Sequence, residues 1–279
     1  MQLLQQRALL TRIIISRWTA TKNDKQVAAE VDRAHSATNS GKFTKLLVDK
    51  AHTKGLMTSA GQIRQFHYSL TLPWDDDGDR LLPAKSLQKY NDGLRHLKAE
   101  DERLRHEFYA VYPTLVTSAQ KRLGTLYDPK DFPAVSELPG KYDIKILQKG
   151  VPDAKDFRVN VGDEATAQIK ASITTENDTK FRQAMKDCYR RMDEVVGHIS
   201  KTLRQEDPRI FKTLVSNARD LIECLPDLNL SDDPLLEQLR QDLDAMLPLN
   251  ADAFKDNPVL RAGVADEADA ILEKMKGML

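Results

Sequence analysis

Cysteine is scarce in this chain. Two cysteines occur among 279 residues, Cys188 and Cys224, and they lie far apart in the sequence. They form neither a CxxC pair nor a spaced set of zinc ligands. This usage excludes a disulfide scaffold and a cysteine-based redox or metal site. We expect both thiols to be buried and reduced, as in a cytosolic protein.

Long hydrophobic runs are also missing. The amino-terminal stretch "MQLLQQRALLTRIIISRW" has the apolar content of a signal peptide, but Arg7, Arg12 and Arg17 interrupt it and no small-residue cleavage site follows. No segment approaches the eighteen or so apolar residues that a membrane helix needs. We therefore expect a soluble intracellular protein without a membrane partner.

Neither sign of charge is in excess over the whole chain, since 42 basic residues balance 42 acidic residues. The two ends differ, however. Residues 1–50 carry nine basic and four acidic side chains, a net charge of +5, whereas residues 200–279 carry ten and sixteen, a net charge of −6. This polarity indicates end-to-end self-association or a separate partner at each end, with a simple solvated bias as the alternative.

Catalytic motifs are absent as well. The sequence contains no GxSxG, Walker A, GxGxxG or HExxH motif. Its six histidines include no pair at metal-binding spacing, and Glu102 with His106 is the spacing of an exposed helical ion pair. The sequence thus favours a protein that has no bound cofactor and is not an enzyme.

Two long apolar seams dominate the rest of the chain. The first comprises Leu87, Tyr90, Leu94, Leu97, Asp101, Leu104, Phe108 and Val111, in which Asp101 is the one polar member. The second comprises Met185, Cys188, Met192, Val195, Ile199 and Leu203. Steps of three and four predict helices, which we expect to pack against each other as a long antiparallel pair of coiled-coil type. Pro113 should kink or restart the first helix, which then ends near Gly124.

Strand signals are few. Ile13 and Ile15 alternate with polar residues, which indicates a short strand or the end of a helix from Leu3. Alternation over 142–146 and 157–161 predicts a β-hairpin at about 141–162. The other segments read as helices at 24–37, 43–54 and 59–70, and at starts near Pro208, Pro234 and Pro258.

The predicted fold class is therefore mainly α, a long helical pair plus a helical bundle with a small β-hairpin or sheet insertion. We divide the chain into residues 1–83 with the strand and short helices, 84–206 with the long helical hairpin, and 207–279 with the carboxy-terminal bundle. The three regions could also form one continuous domain.

The aspartate-rich stretch "LTLPWDDDGDRLLPA" is the most distinctive candidate site. Counted from Asp75, Asp77 and Asp79 fit an EF-hand loop, but Gly78 falls at the fourth position instead of the sixth, and Ser86 stands at the twelfth position, where a glutamate is required. A Mg²⁺ site on these three aspartates remains an alternative. The preferred interpretation is structural: Pro73 and Trp74 anchor an extended approach, the aspartates turn in solvent, and the following leucines return to the core.

A basic aromatic run, "RIIISRWTATKNDK", is the second candidate. Arg12, Arg17, Lys22 and Lys25 could contact phosphates while Trp18 stacks on a base. A strand with solvated edges explains the same residues.

Five segments taken in order resemble an uncharacterised protein family of bacteriophages and prophages: "ISRWTATKNDKQVAAEV", "LTLPWDDDGDRLLPA", "FYAVYPTLV", "RLGTLYDPKDFP" and "VPDAKDFRVNVGD". The resemblance implies a phage protein made in the host cytoplasm, and it carries no assigned activity or catalytic residues. Related phage proteins are encoded near AAA+ ATPases of the MoxR type and von Willebrand A-domain proteins, which implies an adaptor role.

Two functions from different classes follow. The first is a non-enzymatic adaptor or scaffold that binds another protein, such as a phage AAA+ ATPase or a host protein, and that self-associates. The alternative is a DNA-binding accessory protein of phage replication or recombination that uses the basic amino-terminal segment.

Overall fold

A computed structural model describes residues 4–76, 78–206, 210–255 and 257–278. The fold is mainly α with a minor β component, which confirms the predicted fold class. In chain order the elements are α1 (Leu4–Arg7), β1 (Ala8–Ser16), β2 (Thr21–Asp24), α2 (Lys25–Ala34), β3 (Phe43–Leu46), α3 (Lys50–Ser69), β4 (Leu72–Pro73), β5 (Arg80–Pro83), α4 (Leu87–Leu123), β6 (Asp143–Gly150), α5 (Asp163–Leu203), α6 (Lys212–Leu228), α7 (Pro234–Met246) and α8 (Pro258–Lys274).

Two small sheets contain the strands. The larger has the order β4-β5-β1-β6, with Leu10 of β1 opposite Leu81 of β5 and Leu81 in turn opposite Leu72 of β4. The smaller pairs β2 with β3 in antiparallel register, from Thr21 opposite Leu46 to Asp24 opposite Phe43. The amino-terminal strand therefore exists and lies beside β6 in one sheet.

The chain divides into two compact units, each built from separated segments. Unit 1 contains the residues up to Arg12, His67–Tyr90 and the chain from Leu147 onward. Unit 2 contains Ile13–Phe66 and Asn91–Ile146. These limits differ from the three consecutive regions that the sequence predicts, because segments distant in sequence supply each core.

The core of unit 1 is formed mainly by α5 with α8 and α6. On α5 the buried positions include Cys188, Met192, Val196 and Ile199, which recur in steps of three and four. The main partners of α5 are thus α8 and α6 rather than α4, and the predicted pairing of the two long seams is wrong in that respect. An apolar seam can pack against any of several amphipathic helices, and the sequence of the seam does not identify which helix is its partner.

The core of unit 2 forms around the aromatic residues of α4. Phe108 and Tyr112 are buried with Leu56 of α3 and with Leu138 and Tyr142. Trp18 packs against this cluster, with its ring centroid 5.7 Å from that of Tyr112.

The second strand of the predicted hairpin at about 141–162 is wrong. β6 forms, but the described residues 157–162 adopt no regular secondary structure, and Val159 and Val161 are exposed. β6 lies next to β1 instead. A continuous sheet edge from the start of the chain supplied a better partner than a second strand across the turn after Gly150.

The short helices predicted over 43–54 and 59–70 also need correction. Residues 43–46 form β3, and a single helix, α3, covers both of the later segments. Leu56, Ala60 and Ile63 are buried on one face of α3, so packing outweighs the helix-breaking tendency of its two glycines.

The helix starts predicted near Pro234 and Pro258 are confirmed, since α7 begins at Pro234 and α8 begins at Pro258. The Asp233 side chain accepts a hydrogen bond from the Leu235 amide, and the Asn257 side chain accepts one from the Leu260 amide. The start predicted near Pro208 lies outside the described residues, and α6 begins at Lys212. α4 runs through Pro113 without an assigned break and is followed by Gly124 at a φ of 54°.

Candidate functional site

The aspartate-rich stretch is the turn of a short β-hairpin between β4 and β5. The Asp79 amide donates to the Asp75 carboxylate at 2.9 Å, and Gly78 adopts a φ of 93°, which favours glycine. Trp74 is buried before the turn and Leu81 after it. The turn and the return of the leucines to the core agree with the structural interpretation of this stretch, but Asp79 is buried rather than solvated. Asp77 lies outside them.

The Asp79 carboxylate is engaged by two cations. Arg12 Nε lies 2.7 Å from one oxygen, and Lys149 forms an ion pair with the other. Burial alone would raise the pKa of Asp79, but the hydrogen bonds and charges of these two partners lower it below its usual range. A Mg²⁺ ion would have to displace both cations, and within the described residues no group of three or more metal-ligating side chains occurs.

Some residues of the basic amino-terminal segment are buried and others are exposed. Arg17 has a side chain that is 6% exposed and bonds to Asp101, and Trp18 is partly buried against the unit 2 core. Arg12 pairs with Asp79. Lys22 and Lys25 are exposed, and Lys22 lies 3.9 Å from Asp131. The five residues therefore do not form one continuous basic surface.

A buried polar cluster in unit 2 is centred on Asp101, whose side chain is 0% exposed. Arg17 Nη2 lies 2.6 Å from Asp101 Oδ1, and Ser59 Oγ donates to the same oxygen at 2.9 Å. Arg105 Nε lies 3.1 Å from Asp101 Oδ2. Burial lowers the pKa of Arg17, an effect that the charge of Asp101 opposes. The sequence marked Asp101 as the polar member of an apolar seam but did not indicate its partners.

Two tyrosines adjoin this cluster. Tyr109 lies on α4, two turns after Asp101, and Tyr142 directly precedes β6. Their ring centroids are 6.0 Å apart, and the Arg17 guanidinium carbon lies 5.9 Å from the Tyr142 ring centroid. We call Arg17, Asp101, Arg105, Tyr109 and Tyr142 the arginine–tyrosine cluster. Sequence reasoning missed it, because its members come from three separated segments.

A different feature marks the carboxy-terminal helices of unit 1. Among the described residues, the three most exposed large apolar side chains are Leu249 at 91%, Val259 at 82% and Phe211 at 67%. Leu249 and Val259 lie on either side of the short 3₁₀ turn Ala251–Phe254 in the sequence, and this turn contacts both α6 and α8. Phe211 caps the start of α6, Val259 lies at the start of α8, and Leu249 precedes the turn. We call these three residues the apolar end.

Hydrogen bonds and buried contacts hold the backbone that carries the apolar end. Phe254 is fully buried, and its carbonyl accepts a hydrogen bond from Arg261 Nη1 at 3.0 Å. Arg219 Nη2 donates to the Pro248 carbonyl at 2.9 Å. The exposed side chains are thus carried by backbone segments that are fixed to the bundle.

Comparison of the chain with protein-family models, curated proteins and solved structures found no match. Among the described helices, none has the length and apolar character required to cross a bilayer. The function must therefore be argued from the two features above, the arginine–tyrosine cluster and the apolar end.

Proposed function

We propose that this chain is a non-enzymatic protein-binding protein that docks its partner on the apolar end. The observation that carries the proposal is that Leu249, Val259 and Phe211, the most exposed large apolar side chains described, belong to segments that meet at one turn. Single exposed apolar residues are common on soluble proteins, but their concentration at one place marks interaction surfaces.

The chemistry of the apolar end defines the kind of partner. A phenylalanine and two aliphatic side chains fit an apolar pocket or a groove on another protein. Asp252 and Lys255, which pair at 2.6 Å beside them, supply the polar rim that such interfaces usually have. Three side chains form only the centre of an interface, so a specific complex requires further surface around them, to a total of about 800 Å² on each protein.

The partner class follows from the resemblance to phage proteins. We infer an adaptor or scaffold role in the host cytoplasm, with a phage AAA+ ATPase or a host protein as the first partner to test. The proposal rests on the resemblance and on the apolar end together, and the second of these can be tested on its own.

The test is an affinity pull-down of the tagged full chain from phage-infected host cells, with and without nuclease, read by mass spectrometry. The binding variant is Phe211→Ser/Leu249→Ser/Val259→Ser. The control variant is Val135→Ser/Val159→Ser/Val161→Ser, which alters three other exposed apolar residues. We expect one protein at near-stoichiometric yield with wild type and control, in both nuclease conditions, and its loss with the binding variant.

Two outcomes would contradict the proposal. Recovery that is unchanged in the binding variant would remove the apolar end as the docking surface. Recovery of replication proteins that disappears with nuclease would favour the nucleic-acid alternative. In that case binding should fall steeply with salt and weaken when the exposed Lys22 and Lys25 are neutralised.

A further inference from the structure

The arginine–tyrosine cluster contains more hydrogen-bond donors than acceptors. Within the described part of the chain, the buried Arg17 Nε, Arg105 Nε and the hydroxyls of Tyr109 and Tyr142 have no hydrogen-bond partner. Among the described acceptors of this cluster, only Asp101 Oδ2 is in the same condition, because its contact with Arg105 Nε is close but poorly aligned. Four donor groups therefore face one poorly used acceptor.

Buried donors without hydrogen-bond partners lower the stability of the fold. A buried polar group without a hydrogen bond destabilises a fold, and native proteins keep such groups few. Tyr142 is 3% exposed, and burial raises the pKa of its hydroxyl. Burial likewise raises the pKa of Tyr109, and the positive charge of Arg105 partly opposes this rise. The Tyr109 hydroxyl and Arg105 do not meet the geometry of a hydrogen bond. Both hydroxyls are thus protonated and available to donate.

The net charge of the arginine–tyrosine cluster, like its surplus of donors, favours an anionic ligand. Two guanidinium groups, of Arg17 and Arg105, share the single carboxylate of Asp101, which leaves one positive charge in a largely buried site. A ligand that neutralises this charge and accepts several hydrogen bonds at once is an oxyanion. A neutral or cationic ligand would leave the positive charge uncompensated.

We propose that the arginine–tyrosine cluster binds a small oxyanion of the phosphate type. Arg17 and Arg105 supply the charge, and the hydroxyls of Tyr109 and Tyr142 donate to the anion oxygens. Asp101 does not contact the anion favourably; it holds the two guanidinium groups in position. The role of Asp101 is therefore one of positioning.

The cluster reaches solvent at Arg105. The Arg105 side chain is 22% exposed, whereas those of Arg17 and Asp101 are 6% and 0% exposed. Arg105 is therefore the most exposed of these three charged residues and the one that a small anion in solution would contact first.

The test measures the response of the full chain to inorganic phosphate. Melting temperatures are compared in phosphate and in chloride at equal ionic strength, and the affinity is obtained by isothermal titration calorimetry. The variants are Tyr142→Phe and Tyr109→Phe, with Tyr127→Phe as the control, since Tyr127 packs on Phe132 elsewhere in unit 2. Removing an unpartnered hydroxyl should leave the fold intact, and so the variants remain testable.

We expect phosphate to raise the melting temperature of the wild type and of Tyr127→Phe in a saturable way. Tyr142→Phe and Tyr109→Phe should each bind phosphate about tenfold more weakly, as expected for loss of one hydrogen bond to a charged group. Phosphate also stabilises proteins in general, through its exclusion from their surface. A rise that is equal in wild type and Tyr142→Phe, or no rise at all, would overturn the proposal.

Discussion

Asp101 illustrates how one residue can determine the interior of a unit. A carboxylate without solvent exposure loses its hydration, and the loss is offset only if charged and hydrogen-bonding partners replace the water. Arg17, Ser59 and Arg105 do so here. The residue that interrupts the apolar seam in the sequence is therefore the centre of the polar interior of unit 2.

Replacing Asp101 should be strongly destabilising. In Asp101→Asn the charges of Arg17 and Arg105 lose their shared counterion inside the protein, and we expect a loss of about 3–5 kcal/mol in the free energy of unfolding. Urea denaturation measures this change. The neighbouring substitution Glu102→Gln serves as the control because its side chain is 65% exposed, and it should change stability by less than about 0.5 kcal/mol. Similar values for both variants would contradict this account.

His67 should make stability depend on pH. The residue is buried, and its Nδ1 lies 2.7 Å from the Tyr90 hydroxyl. Burial, aided by the charge of Arg80, lowers the pKa of His67 from 6.5 to about 4. Between these two values the unfolded chain binds more protons than the folded one, so stability should rise with pH across this window, by at most about 3 kcal/mol.

The measurement is the urea midpoint at several pH values from about 4 to about 7. His67→Gln should flatten the dependence over this window, since the titrating group is gone. His106→Gln, at an exposed histidine, is the matched control. A slope that is the same in wild type and His67→Gln would assign the pH dependence to other groups.

At the scale of elements, periodicity predicted the long helices well and their exact buried faces less well. The first seam was expected to continue at Val111, yet Val111 is exposed and Tyr112 is buried. The second was expected at Val195, yet Val196 is fully buried. A straight helix has 3.6 residues per turn, so its apolar stripe drifts away from a fixed pattern of threes and fours over a long helix.

Strand partners and the candidate sites were predictable only in part. The turn from Asp75 to Asp79 follows from local chemistry, and its structural role could be read from the sequence. The partner of β6 and the ligands of Asp101 come from distant segments, and no local pattern encodes which segments meet. The apolar end could not be predicted either, because exposure depends on the packing of three helices.

Gly93 of α4 should be required for the close approach of α3. A Cβ atom at this position would collide with the ring of Phe66, which belongs to the same unit. We therefore expect Gly93→Ala to destabilise the chain by about 1–3 kcal/mol, although alanine favours helices more than glycine does. Thermal or urea unfolding measures the effect.

The matched control for this substitution is Gly197→Ala on α5. Apart from the adjacent residues and the backbone of α5 itself, no atom of the described residues lies within 4 Å of the added methyl, so the propensity gain should stabilise the chain by up to about 1 kcal/mol. A loss of stability in Gly93→Ala together with a gain in Gly197→Ala would identify packing against Phe66 as the cause. A stabilised Gly93→Ala variant would show that Phe66 can move aside.

At the scale of the whole molecule, the charges of the two ends predict salt-sensitive self-association. The net charges of +5 over residues 1–50 and −6 over residues 200–279 attract each other between copies. Raising the ionic strength from about 0.01 M to about 1 M shortens the screening length from about 30 Å to about 3 Å. We expect light scattering after size exclusion to show a larger mass at low salt than at high salt.

A charge reversal separates this effect from other contacts between copies. Lys22→Glu/Lys25→Glu should reduce the mass at low salt, whereas Lys121→Glu/Lys130→Glu, which alters exposed lysines outside the basic end, should reduce it less. The same mass at low and high salt would contradict this prediction and would indicate that the charged ends are solvated and do not drive self-association.

The split composition of the two units has a consequence for synthesis on the ribosome. The chain changes unit at residues 12–13, 66–67, 90–91 and 146–147, so every residue of unit 2 is made before residue 147. Unit 1 must wait for α5, which contacts β4, before the early apolar residue Leu72 of β4 has its final neighbours. A nascent chain therefore contains all of unit 2 while Leu72 still lacks this packing, and we expect chaperones to bind the chain at that stage.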